Sequence, residues 1–315
     1  FFQAEDAIRD SVASRGLGDV YKRQLLILLG YVSAKKLIFK YEDALSIIKY
    51  IGVIAVPALT LKMTVSISFS NVNWLLISSY IISELIIYLV AIFIAKFFFN
   101  LKWNESILIG MASSFANHLL FVYPIALNEY GPELIDPIIA IIGFDVAFLV
   151  VNLIILDFIK YKNLELSHIV FKQLSNLPLL AVLTGLFIVF LDFNMPLSIE
   201  RTLNFISGSA APCALFAAGI ILSQKIEKTD LKISNLIIGF KILLHPLIAI
   251  LVMWNLNEIE FSISETAIMV AAAPVGLMAL VFSTQYDVNP NAITRALLIS
   301  TLLSIISIPL VSTLS

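Results

Sequence analysis

The sequence predicts an all-α integral membrane protein of ten transmembrane helices, arranged as two five-helix halves with the second inverted relative to the first. Three observations predict this. Hydrophobic residues make up 60% of the 315 and charged residues 13%, with a mean hydropathy of +0.97, so apolar runs replace the charge-faced stripes of a soluble domain. These runs recur at about 20 residues, the length needed to cross the bilayer core. Two of them, far apart in the chain, carry a proline at mid-membrane depth, Pro124 and Pro274.

In chain order, residues 1–24 (FFQAEDAIRDSVASRGLGDVYKRQ) are charged throughout and have no apolar core, so they are not a signal peptide. They closely resemble the read-through translation of a sequencing adapter and are read as non-native, with a short cytoplasmic tail as the plainer alternative. The apolar run that follows, 25–34, is half a span, as expected of a first helix whose outer half has been replaced. Further spans are expected at 47–66, 73–95, 106–127, 134–158, 176–193, 202–223, 233–254, 264–283 and 292–314.

The loops alternate in charge. Lys35, Lys36 and Lys40 follow the first span, Lys96 and Lys102 the third, Lys160, Lys162 and Lys172 the fifth, and Lys225, Lys228 and Lys232 the seventh. The intervening loops are acidic or poor in base, as at Glu129, Glu133 and Asp136, or Glu258 and Glu260. The positive-inside rule places the basic loops in the cytoplasm and both native termini outside. Arg295 agrees with this orientation and Arg201 dissents.

An odd number of spans per half turns a duplicated half upside down, the inverted repeat of many secondary transporters. The prolines support the duplication: Pro57 and Pro212 lie 155 residues apart, and Pro124 and Pro274 lie 150 apart. Glu129-Tyr130-Gly131 and Gln285-Tyr286-Asp287 close the two broken spans at a similar offset.

The stretch from Ser113 to Gly131 is a membrane helix that interrupts itself. Pro124 has no N–H and crowds the carbonyl of Leu120, and Asn117 and His118 add side-chain polarity two turns earlier. An unpaired backbone group in hydrocarbon costs several kcal/mol, so such a break needs protein or a wet cavity to satisfy it. The stretch 269–288 repeats the device at Pro274, and two broken helices in one chain point to a transporter site. Half-helix N-termini within the membrane form an anion site without arginine, and half-helix C-termini call for a cation such as Lys241 or a bound ion.

Other chemistries find no footing. Cys213 is alone, so the chain can build neither an intrachain disulfide nor a cysteine metal site. There is no glycine-rich phosphate loop, no HExxH and no basic aromatic surface, so no cofactor, metal or nucleic acid is expected. Ser209 with His245 suggests a hydrolase only weakly, because hydroxyls beside small residues are ordinary helix-packing material.

The chain from Leu25 onward resembles the auxin efflux carrier family and its bacterial relatives, which include proteins named as malonate permeases. The resemblance rests on Asn117 with Pro124, on SAAPCALFAAGIIL (209–222), on Lys241 with His245-Pro246, and on AAAPVGLMALVFSTQYDV (271–288) before STLLSIISIPL (300–310). It implies a fold like that of sodium/proton antiporters, in which broken helices 4 and 9 cross. Helices 1–2 (25–66) and 6–7 (176–223) would form a scaffold, and helices 3–5 (73–158) and 8–10 (233–314) a transport domain. It also implies carriage of a small organic anion, with Asn117, His118, Pro124, Pro274 and Gly276 around the substrate. Two departures bear on that substrate. Leu119 and Val122 stand where relatives commonly carry glycine, and Gly276, Leu277 and Met278 where a polar residue is common, which makes the pocket greasier or tighter.

Each polar residue also has a plainer reading. Asn117 is either interhelical glue worth about 1 kcal/mol or a substrate contact, and beside a helix break the contact is favoured. His118 faces the site or turns away from it, depending on the helical spacing. Glu84, Asp145 and Lys241 lie near mid-membrane, where charges are costly, and serve either coupling or a structural ion pair within one domain. Pro57 and Pro212 are read as scaffold kinks.

The favoured function is an alternating-access carrier of a small organic anion such as a carboxylate, without enzymatic activity. Its expected partners are membrane lipid, a coupling proton and a second copy of the chain. A proton- or sodium-coupled antiporter or symporter of the same fold is the alternative, and a membrane sensor or intramembrane enzyme the distant third. The antiporter is disfavoured because it usually needs two adjacent carboxylates, whereas Asp145 sits between Phe144 and Val146.

Overall fold

The computed structural model describes residues 25–67, 73–118, 122, 126, 136–161, 165–223, 228–255 and 261–312. Residues 1–24, Leu119, Pro124, the 129–131 phrase, Glu133, Lys162, Lys225, Glu258 and Glu260 lie outside this set. Among the described residues the chain is helical, in order α1 (Leu25–Lys35), α2 (Tyr41–Val65), α3 (Trp74–Phe97), α4 (Trp103–Ser114) and α5 (Asp136–Lys160). The second half follows with α6 (Leu166–Leu174), α7 (Leu177–Phe190), α8 (Leu197–Leu222), α9 (Leu231–Trp254), α10 (Phe261–Ala271), α11 (Met278–Gln285) and α12 (Asn291–Ser312). Five of these, α2, α3, α5, α8 and α9, are long and apolar enough to cross a membrane, and α6 with α7 forms a further pair bent by 62°.

Several element boundaries differ from the expected ones for local reasons. α2 starts at Tyr41, six residues before the expected span, because the Asp43 carboxylate accepts the Lys40 N–H at 2.7 Å and satisfies an amide at the helix start. Glu105 does the same for Lys102 at the start of α4, and Asn73 caps α3 through Leu76 N–H at 3.0 Å. The helix α6 was not expected. It is separated from α7 because Pro178 would crowd the carbonyl of Leu174 in a continuous helix.

Pro57 and Pro246 do not break their helices. Each follows a widened, π-helical turn, Ile51–Ala55 in α2 and Gly239–Leu244 in α9. The wider turn makes room for the proline ring, and π turns of this kind are frequent at functional sites.

Close backbone approaches tie one set of helices together. A Cβ at Gly30 of α1 would lie 2.1 Å from the Phe216 carbonyl oxygen of α8, and one at Gly219 of α8 would lie 2.1 Å from the Ile27 carbonyl oxygen of α1. Only glycine allows the two backbones to touch. Gly185 of α7 faces Thr64 of α2 with the same lack of room, and Tyr50 of α2 hydrogen-bonds Ser209 of α8 at 2.8 Å. A second set is joined by buried polar contacts. The Tyr88 hydroxyl of α3 donates to Asn152 of α5, Asn104 of α4 donates to the Tyr286 carbonyl after α11, and Ser307 of α12 donates to the Ala272 carbonyl after α10.

Candidate functional site

The site forms where helical backbone stops twice. α4 ends at Ser114, and Phe115 is extended, with ψ of 132°. α10 ends at Ala271, and helix resumes only at Met278. The two unwound segments run antiparallel and pair: Asn117 N–H donates to the Pro274 carbonyl and Gly276 N–H donates to the Phe115 carbonyl, both at 2.9 Å, around an Ala116–Val275 bridge. Val275 N–H donates to Ser300 Oγ of α12 at 3.0 Å. Three amides freed by the breaks, those of Asn117, Gly276 and Val275, are therefore satisfied by the other break or by α12, as hydrocarbon requires. α4 ends ten residues before Pro124, where the sequence placed the first break and which lies outside the described residues.

Gly276 is needed at this junction. A Cβ there would sit 3.1 Å from the Ala116 carbonyl oxygen and 3.2 Å from that of Phe115, tighter than ordinary contact. Gly276 is thus the residue that lets the two strands of the junction meet.

Lys241 is fully buried in the π-helical turn of α9. Its ammonium lies 3.0 Å from the Ser114 carbonyl, 3.5 Å from the Val270 carbonyl and 2.9 Å from His245 Nδ1. An ammonium only donates, so all three are acceptors and its three hydrogens are used. Two of them are the carbonyl ends of α4 and α10, where helix dipoles concentrate negative charge. Among the described residues Asp145 and Lys241 form no ion pair, the structural alternative for these charges, and Lys241 instead tethers two half-helix C-termini.

Asp145 has other neighbours. His118 Nε2 lies 3.1 Å from Asp145 Oδ2, and the Glu84 carboxyl of α3 meets the Asp145 carboxyl in hydrogen-bonding contact. All three are deeply buried, with 0%, 4% and 7% exposure for Glu84, Asp145 and His118. Tyr80 of α3 packs its ring 5.6 Å from that of His245, on the same side of the cluster. Sequence reasoning passed over Tyr80 and Ser300, since a tyrosine or serine in an apolar helix carries no distinguishing pattern.

A cavity of about 50 Å³ opens against the junction. Asn117, His118 and Asp145 provide its polar atoms, Gly276, Leu277 and Met278 line the N-terminus of α11, and Val56 of α2 and Pro178 of α7 close the far wall. It has room for a few waters and is well below the size of a typical ligand pocket, so an organic substrate needs this wall to move. The first amides of α11 have no intrahelical partner and carry the positive end of its dipole, which suits an anion. A larger cavity of about 540 Å³, between the ends of α2, α7 and α8, holds Asp192 and Glu200 against a single Lys62 and has the wrong charge for an anion.

Ser209 and His245 do not meet: Ser209 bonds Tyr50 and the Ile206 carbonyl, while His245 bonds Lys241. Among the described residues no group of three or more His, Cys, Asp or Glu is placed to hold a metal.

Residues 163–312 match the family model described as membrane transport protein. Over 292 residues the chain is 25% identical to a protein named "Putative malonate transporter" from Rhizobium meliloti strain 1021, covering 90% of each chain. It is 24% identical to an "Uncharacterized transporter" from Methanothermobacter thermautotrophicus, covering 91% of this chain and 94% of that one. It is also 24% identical to the mouse "Lysosomal cholesterol signaling protein", across 89% of this chain but only 35% of that longer protein.

Proposed function

We propose that this chain, whose residues 163–312 match the membrane transport protein model, is a carrier of the auxin efflux carrier family that moves a small organic anion by alternating access. The observation that carries the reading is the paired interruption at 115–117 and 274–276, which brings a helix N-terminus and Asn117 to a largely apolar cavity that also holds His118 and Asp145. Broken helices of this kind hold substrates of secondary transporters near the midplane.

In this reading the ten spans form two inverted repeats whose broken fourth and ninth members cross at that junction. α1, α2, α7 and α8 are the scaffold, and α3–α5 with α9–α12 the transport domain, a division supported by the two sets of contacts described above. The cavity has walls from both sets, so sliding or rocking one past the other opens it to either side. The name of the Rhizobium relative favours a dicarboxylate as the first substrate to try. The lysine-rich loops favour a prokaryotic cytoplasmic membrane with the native termini outside. A sodium-coupled carrier of the same fold is less well supported, because the Lys241 ammonium already supplies positive charge to both half-helix C-termini.

The test is uptake of labelled carboxylates, malonate first, into proteoliposomes. Asn117→Ala should weaken substrate affinity by about ten- to a hundredfold, from roughly 1.5–3 kcal/mol for one lost hydrogen bond to a charged group, while leaving the protein folded. Uptake of no carboxylate by folded protein would reject the anion reading, and unchanged affinity in the variant would make Asn117 purely structural.

A further inference from the structure

The contact between His118 and Asp145 becomes a hydrogen bond only when a proton lies in it. His118 Nδ1 lies 2.7 Å from the Ala116 carbonyl, and a carbonyl only accepts, so Nδ1 carries a hydrogen. The other ring nitrogen faces Asp145 Oδ2 at 3.1 Å. If the ring were neutral and the carboxyl ionised, two lone pairs would oppose each other in a buried site. One proton, on either partner, turns the opposition into a hydrogen bond. The pair is then neutral, and without the proton it carries one negative charge.

The same need recurs on the other side of Asp145. Its carboxyl meets that of Glu84, and two acceptors form a hydrogen bond only when one is protonated. Among the described residues no N–H or O–H group donates to either carboxyl in their ionised forms. Lys241 does not meet the need, because its donors go to Ser114, Val270 and His245. The remaining titratable neighbours are Tyr80 on α3 and His245 on α9, whose rings pack on each other, and α2 and α7 bring only Val56 and Pro178 to the cavity.

We propose that His118, Asp145 and Glu84 form a proton-binding site sharing a wall with the anion cavity, so that one proton is taken up with each anion. This rests on the carrier reading above and adds the second passenger. Asp145 and His118 line the cavity directly. An anion entering beside an ionised Asp145 meets a like charge in a water-poor site, where repulsion is little screened. Uptake of a proton, held as an O–H of the acid or an N–H of the imidazolium, removes that charge. Anion and proton therefore favour each other's binding, and by linkage the effect is reciprocal.

The experiment measures malonate affinity of the full chain in lipid nanodiscs across pH, with a pH indicator recording proton uptake in weak buffer. One linked proton gives an affinity that falls by up to about tenfold per pH unit on the alkaline side, with close to one proton absorbed per anion bound. Asp145→Asn should abolish the pH slope and the proton uptake, whatever its absolute affinity, and Glu84→Gln should shift the slope along the pH axis. A flat wild-type profile, or a slope unchanged in both variants, overturns the proposal. If malonate does not bind at all, the anion assignment fails and an infrared titration of the ligand-free protein decides the proton site by itself. A buried carboxylic-acid band that titrates in the wild type and is lost in Asp145→Asn supports the site, and its absence from the wild type overturns it.

Discussion

At the scale of single residues, the sequence singled out charged and polar side chains but not the partners the structure gives them. Glu84, Asp145 and Lys241 were visible as intramembrane charges because charge in an apolar run is rare and costly. Their pairing was not visible, because two of the acceptors of Lys241 are backbone carbonyls, which every residue possesses. His118, whose orientation helical spacing left open, turns inward, where it is buried between the Ala116 carbonyl and Asp145. The role of Lys241 is testable through stability. Lys241→Met keeps the length of the side chain and removes its donors, leaving the Ser114 and Val270 carbonyls and His245 Nδ1 buried without the ammonium. A buried acceptor left unpaired costs about 1–3 kcal/mol, so the variant should melt markedly lower in detergent or nanodiscs. An unchanged melting temperature would show that the two helix ends do not depend on this cation.

At the scale of elements, proline carried much of the signal, and it was read correctly as a disturbance but not always as the correct kind. Pro57 and Pro246 are absorbed by π-helical turns, whereas Pro178 separates α6 from α7 and Pro274 lies in a true break. What decides among these outcomes is whether a partner exists for the freed backbone. That partner is tertiary: the 115–117 segment has no proline or glycine of its own and unwinds against Val275. The helix α6 was missed for a similar reason, since its anchor is a buried carboxylate on another helix. Asp157 of α5 accepts from Lys172 at 2.9 Å, from the Tyr286 hydroxyl at 2.9 Å and from the Gln173 amide. One carboxylate thus holds α6 and the end of α11 to the end of α5, and Lys160 adds a bond to Asp287 at 2.8 Å. Asp157→Asn removes the charge that attracts Lys172, so α6 should detach more often. Amide hydrogen exchange across 166–174 should accelerate while exchange in α3 stays slow. Equal protection of α6 in wild type and variant would mean that its apolar contacts alone hold it.

At the scale of the whole molecule, transport requires that the cavity change its walls. In the present conformation about 50 Å³ is enclosed between the helix junction with α5 and α11 on one side and α2 with α7 on the other. Close glycine contacts make the α1–α8 pair rigid, because helices whose backbones touch cannot slide without collision, and Gly185 of α7 seats the Thr64 side chain of α2 in the same way. The junction is rigid for a different reason, since its backbone hydrogen bonds would have to be broken in a medium that offers no replacement. Motion is therefore expected between the two sets rather than within either. Val56 of α2 and Met278 at the start of α11 face the cavity from opposite sets. With the native Cys213 replaced by serine, Val56→Cys with Met278→Cys can be bridged by a short bifunctional thiol reagent. Bridging should stop substrate uptake, and cleavage of a reducible bridge should restore it, with a loss larger than the same reagent causes in either single cysteine variant. If the bridged protein transports at the unbridged rate, the two walls do not move apart during the cycle. The alternating movement would then have to be sought within one set of helices, against the rigidity that their glycine contacts and backbone bonds impose.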